Sequence, residues 1–149
     1  IALHLFAVAK GWQMPASRAA GLLLSIVVVG LIYHVLLARL WHPQGLGWWA
    51  DQGLHTAVPL GYLGWWLAFA PKTVTRRDVP VWLIWPACYG SYAMIRGALT
   101  GFWPYPFLNA DALGWATVSL NLALLLLAFA GLGLALLAVT RWLQSAKPG

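Results

Sequence analysis

Three histidines, His4, His34 and His55, stand inside apolar runs of this 149-residue chain, and a fourth, His42, lies in a stretch rich in Gly, Pro and Trp. A neutral imidazole can take a proton from a hydroxyl or bind a metal ion. Asp51 precedes His55 by four residues, so on a helix the two are neighbours and the carboxylate can orient the ring. Trp85, Tyr89, Tyr92 and Arg96 follow one another at spacings of four, three and four, which puts them on one helix face. Two chemistries fit such residues. One is nucleophilic hydrolysis by a hydroxyl that a histidine activates. The other is a metal site of three imidazoles, His4, His34 and His55. No two histidines show the His-x-x-x-His spacing, so the metal reading is the weaker and no metal ligand or other cofactor is assigned. The single cysteine, Cys88, excludes an intrachain disulfide and a cysteine-based zinc site. For hydrolysis the residues offer a base but no outstanding nucleophile. Thr56 points about 100° around a regular helix from His55, and Thr100 falls in a loop.

These residues need elements to position them, and composition says what the elements are. Hydrophobic residues make up 62% and charged residues 8% of the chain, against about 25% charged in soluble domains. The three acids are all Asp, and the mean hydropathy is +0.76. This excludes a disordered chain and an ordinary water-soluble domain. It also excludes a nucleic-acid-binding module, because the nine cations are scattered rather than gathered on a face. What remains is an integral membrane protein, all-α and polytopic. Its net charge of +6 then reads as inner-leaflet anchoring, and its eleven Trp residues as interface residues.

About 20 apolar helical residues cross a bilayer core. Charges and turn formers divide the chain into spans at about 1–9, 18–39, 51–70, 78–97 and 111–140, within one transmembrane domain. The first is short and starts without a signal-peptide pattern, so it reads as the remainder of a longer span. Asp51, Asp78 and Asp111 each precede a span and can face its N-terminus. Pro59 and Pro86 lie inside spans and predict kinks that face protein. Lys10, Arg18, Lys72, Arg76, Arg77, Arg141 and Lys147 fall on one side of the alternating connections, Arg39 and Arg96 on the other. The positive-inside rule then places the C-terminus in the cytoplasm, with the loops 41–50 and 99–110 outside.

On this topology His4, His34, His55 and Arg96 lie within roughly 5–10 Å of the outer boundary, at a helical rise of about 1.5 Å per residue. A shared polar pocket of His34, His55, Tyr92 and Arg96 is the expectation. Each residue also has a plain reading. A lone helix histidine is often a packing hydrogen bond. Arg96 can snorkel to headgroups, the Tyr and Trp residues can be interface belt, and Cys88 a small buried side chain. Ser119 and Asn121 can join helices.

Two segments carry a resemblance. They are Trp49-Ala50-Asp51-Gln52-Gly53-Leu54-His55-Thr56-Ala57-Val58-Pro59 and Arg96-Gly97-Ala98-Leu99-Thr100-Gly101-Phe102-Trp103-Pro104-Tyr105-Pro106-Phe107-Leu108. Together they resemble the androgen-induced-gene/ADTRP family of membrane hydrolases. The run Trp41-His42-Pro43-Gln44-Gly45 is similar to its bacterial branch, the "Pr-six-Pr" integral membrane proteins. The resemblance implies a six-span bundle in a bacterial inner membrane, of which four full spans and a partial N-terminal span are expected here. It implies hydrolysis of a lipid-like ester, with His55 as the catalytic base. The family's threonine nucleophile would belong to a segment ahead of Ile1. Asp51, His34, Tyr92, Arg96 and Tyr105 would be supporting or substrate-binding residues, with Arg96 placed to pair with a substrate carboxylate. The partners expected are membrane lipids and the ester. The alternative is a non-enzymatic lipid-binding or small-molecule transport component.

Overall fold

A computed structural model describes residues 1–40 and 42–145, and among them the chain is all-α. Trp41 of the expected outer loop and Lys147 of the basic tail lie outside the described residues. The chain forms two compact units. The first unit runs from Ile1 to Arg76 and takes in the chain from Leu136 onward, and the second is Arg77–Ala135.

In the first unit α1 is Ala2–Ala9 and α2 is Ala16–Ile32, which continues as a π-helical turn, Tyr33–Leu37. Helix α3, Leu46–Gln52, runs through a second π-turn, Gly53–Ala57, into α4, Val58–Phe69. In the second unit α5 is Asp78–Thr100 and α6 is Ala110–Leu113. Helix α7, Trp115–Ser145, starts in the second unit and ends in the first.

Among the described residues two helical stretches are long and apolar enough to cross a membrane, and the expected spans at 51–70 and 78–97 are not among them. Ala16–Leu37 has 22 residues and a mean hydropathy of 2.5, and Trp115–Ser145 has 31 residues and a mean hydropathy of 2.7. At about 1.5 Å per residue the first is about 33 Å long, matched to a core of about 30 Å.

Several boundaries differ from the sequence reading. Asp51 does not open a helix. The chain turns at Gly45, whose φ of +57° is open to glycine, and α3 begins at Leu46. Asp51 is therefore well inside the helix, where its carboxylate needs side-chain partners. Asp111 lies in the short α6, capped by the Asn109 side chain accepting from the Ala112 N–H at 3.1 Å. Gly114, at φ +77°, then separates α6 from α7. Cys88 is exposed rather than buried.

Helix packing in the first unit rests on small residues against large ones. Ala19 and Leu23 of α2 meet Tyr62 and Trp66 of α4, and Trp66 is fully buried. The Tyr62 hydroxyl donates to the Ala19 carbonyl at 3.3 Å. Close approach of this kind maximises dispersion contacts, the main attraction between helices when lipid is the alternative surrounding. Lys72 closes the end of α4, donating to the Trp66 and Ala70 carbonyls at 2.5 and 2.6 Å, 4.3 Å from the Trp66 ring centre. From α7, Gln144 donates to the Lys72 carbonyl at 3.0 Å.

The second unit centres on Ala93, Leu108, Ala110 and Val118, with Met94, Trp103, Tyr105, Phe107 and Leu122 packed around them. Gly97 is buried under the Trp103 ring, leaving no room for a Cβ. The Asn121 amide donates to the Phe107 carbonyl at 2.8 Å, tying α7 to the loop.

Candidate functional site: a polar cluster on two π-turns

Proline explains one of the two π-turns. An α-helix would use the N–H of residue 59 to bond the His55 carbonyl, and Pro59 has none. The helix widens just before it, and the Val58 N–H bonds the Gly53 carbonyl five residues back. The buried Pro59 packs on α2 at Gly30, where an added Cβ would lie 3.1 Å from the His55 carbonyl oxygen and 3.3 Å from Pro59 Cγ. Gly30 thus lets the two helices approach at His55. In the other π-turn the Ala38 N–H bonds the Tyr33 carbonyl at 2.7 Å. No proline or glycine marks that turn in the sequence. Such π-turns often coincide with functional sites.

The two turns and the end of α3 bring six polar side chains together in two hydrogen-bonded sets. Asp51, 7% exposed, accepts a hydrogen bond from the Tyr33 hydroxyl on Oδ2. Its Oδ1 lies 3.2 Å from His55 Nδ1, which is also 3.1 Å from the Asp51 carbonyl oxygen. Both acceptors call for a proton on Nδ1, so the neutral His55 ring keeps its free lone pair on Nε2. Tyr33 stacks flat on His55, with centroids 4.0 Å apart and planes 7° apart. His34 meets the same Tyr33 ring edge-on at 5.1 Å. The carboxylate, the phenol and the stacking fix the imidazole in position and tautomer.

Beside this stands a second set. Thr56 Oγ1 lies 3.1 Å from His34 Nε2 and 3.0 Å from Gln52 Oε1. Asp51–His55 and Gln52–Thr56 are therefore parallel four-residue pairs, one residue out of step. The sequence reading placed Thr56 away from His55 and left it without a histidine; the histidine it meets is His34, from the neighbouring helix. Tyr33 and Gln52 were not singled out at all. The repeated spacing 51/55 and 52/56 was the signal available for Gln52. Tyr33 carried none beyond its place next to His34.

Each of the remaining expected residues has contacts within its own unit. His4 is 5% exposed and packs edge-on against Tyr62 and Trp65, with centroids at 5.9 and 5.4 Å, and neither ring nitrogen has a hydrogen-bond partner among the described residues. Tyr92, Arg96 and Tyr105 belong to the second unit. Arg96 sets its guanidinium 4.3 Å over the Phe102 ring. The Tyr92 ring lies 6.3 Å from that of Tyr89, and the Tyr89 hydroxyl is 3.3 Å from that of Tyr105. Burial, with help from the Tyr89 hydroxyl, pushes the Tyr105 phenol up to about 12. Trp103 Nε1 donates to Asp111 at 2.7 Å. Among the described residues, no group of three or more His, Cys, Asp or Glu side chains is placed to hold a metal ion.

Comparison with protein-family models, with curated proteins and with solved structures gives no match.

Proposed function

We propose that this chain is a multi-pass protein of a bacterial inner membrane that hydrolyses a lipid-like ester, with His55 as general base. The observation that carries the reading is the Asp51 carboxylate on His55 Nδ1. It leaves Nε2 to accept a proton, and the negative charge stabilises the imidazolium that results. Tyr33 holds the ring plane and satisfies the second carboxylate oxygen. The attacking hydroxyl is a threonine, as in the membrane hydrolases that residues 49–59 and 96–108 resemble. Acyl chains of the ester remain in lipid while its carbonyl meets the polar cluster. The two apolar helices and the asymmetric distribution of Lys and Arg support the membrane setting.

Two measurements test this. His55→Ala removes turnover of a fatty-ester substrate by the full-length protein while membrane insertion persists. Wild-type turnover in that variant refutes His55 as the base, and a wild type that turns over no ester favours the non-enzymatic lipid-binding or transport reading. Single cysteines in a Cys88→Ala background, probed with an impermeant maleimide on whole cells, test the topology. The cytoplasmic C-terminus requires labelling near Gly45 and none near Arg76, and the opposite pattern inverts the orientation.

A further inference from the structure

We infer that the exposed face of α5 holds one anionic phospholipid, with its phosphate on Arg96 and an acyl chain laid along the helix toward Trp85. The inference goes beyond the hydrolase reading and uses only the membrane setting proposed with it. Trp85, Tyr89, Tyr92 and Arg96, which share one helix face by their spacing, are all exposed. Between Asp78 and Arg96 the helix carries no charge, and Val81, Ile84 and Ile95 widen the exposed apolar surface beside the stripe. A contiguous apolar surface with a polar rim marks a contact site. Trp85 lies eleven residues before Arg96, about 16 Å along the helix. That is the depth of one leaflet of a hydrocarbon core about 30 Å thick.

Arg96 supplies the polar end. Gly101, at φ +71°, ends α5 and turns the chain back. The Thr100 hydroxyl donates to the Arg96 carbonyl at 2.8 Å and accepts from the Phe102 N–H at 3.2 Å. These bonds bring the Phe102 ring to 4.3 Å from the Arg96 guanidinium. The ring covers one side of the cation and restricts its rotamers. Among the described residues the guanidinium has no hydrogen-bond acceptor and no carboxylate within ion-pair reach. Of the two acids in this unit, Asp111 accepts from Trp103 Nε1 at 2.7 Å. The other, Asp78, is about 27 Å away along the helix. A planar fork of donors without an acceptor of its own matches a phosphate or carboxylate group.

Charge and shape together select the occupant. A small soluble anion would satisfy Arg96 and leave the apolar stripe uncovered. A phosphate diester carries the single negative charge that one unpaired cation calls for, and its acyl chains cover the stripe. Tyr92 stands four residues nearer the helix centre, about 6 Å along the axis. Its hydroxyl has no hydrogen-bond partner among the described residues, so it is free to donate to a glycerol ester oxygen. The Tyr89 hydroxyl, by contrast, already lies 3.3 Å from that of Tyr105. Trp85 then packs along the acyl chain. On the proposed orientation this lipid belongs to the outer leaflet.

Native mass spectrometry of the full-length protein in detergent tests the site, with phosphatidylglycerol or phosphatidylcholine of the same acyl chains added. Wild type retains phosphatidylglycerol in preference by about fivefold or more, the scale of one cation at an anionic headgroup. Arg96→Gln removes that preference. Arg96→Lys keeps part of it, because the charge stays and the fork is lost. Phe102→Leu leaves the charge unchanged yet lowers retention by about threefold, since the guanidinium loses its platform. Monodisperse elution controls for folding, and Phe102→Leu, at an exposed position, keeps the test decisive if Arg96→Gln misfolds. Equal retention of the two lipids by wild type, or an undiminished preference in Arg96→Gln, overturns the site. The same loss in Arg39→Gln, the other cation of that side, shows diffuse attraction and overturns it too. Wild-type retention in Phe102→Leu refutes the ring-held guanidinium. An adduct of inorganic phosphate or of a fatty acid, with none of phosphatidylglycerol, overturns the phospholipid as occupant. The readout is lipid mass rather than ester turnover, so failure of this site and failure of the hydrolase reading are seen separately.

Discussion

The two units treat their polar side chains in different ways. In the first, polar groups from two helices meet each other: a carboxylate on an imidazole, a phenol on that carboxylate, a hydroxyl on a second imidazole. In the second, polar groups are spent on the chain's own connections. Arg96 covers Phe102 a few residues on, Trp103 bonds Asp111, and Asn121 holds the Phe107 carbonyl. The first arrangement is the one on which the proposed function rests, because it sets a carboxylate on one imidazole and a hydroxyl on another. The second fixes a loop to the helices beside it. Backbone geometry follows the same division. The first unit's cluster stands on two π-turns, whereas α5 runs from Asp78 to Thr100 without one, although Pro86 lies inside it.

The contrast is tested most strongly by function. His55→Ala lowers ester turnover by about 10²–10⁴-fold, the usual contribution of a general base. Arg96→Ala, assayed alongside, leaves turnover within about threefold and costs about 0.5–1 kcal/mol of stability, as expected for an exposed cation–π contact. An Arg96→Ala loss as large as that of His55→Ala would remove the distinction between the units. Asp51→Asn comes next. It keeps the shape of the side chain but lets its amide NH₂ compete for the ring nitrogen, and kcat drops by about a hundredfold. Unchanged kcat in that variant means that the carboxylate does not orient the base.

Packing changes give smaller effects. Gly97→Ala pushes a methyl group into the Trp103 ring and destabilises the second unit by about 1–3 kcal/mol, read as a lower melting temperature in detergent with kcat intact. Gly30→Ala sets a methyl group 3.1 Å from the His55 carbonyl oxygen and 3.3 Å from Pro59 Cγ, tighter than ordinary contact but less so than at Gly97, so the backbone at His55 shifts and kcat falls with a smaller loss of melting temperature. The smallest effect concerns Tyr105. Its phenol ionises near 12 in the folded protein and near 10 when unfolded. The protonated form is the one the fold favours, so this contribution is complete below about pH 10 and is lost as pH rises through about 12. Ultraviolet titration of wild type against Tyr105→Phe shows one late-ionising phenol fewer in the variant. A difference spectrum that appears below pH 10 contradicts the burial.

Composition made the helical class legible, because a chain with 8% charged residues and apolar runs of this length can satisfy its backbone in lipid through helices. Helix positions followed from punctuation by charge, Gly and Pro, though Gly45 moved one start upstream of Asp51 and Gly114 split the chain ahead of α7. The proximity of Asp51 and His55 could be read from spacing, since residues four apart share a helix face whatever the fold. The partner of Thr56 could not. A regular helix turns it away from His55, and nothing local indicates that α2 approaches there at Gly30 with a π-turn of its own. Contacts within a helix depend on residue number alone, whereas contacts between helices depend on where backbones can come close. That was set by a glycine, a proline and two widened turns acting together.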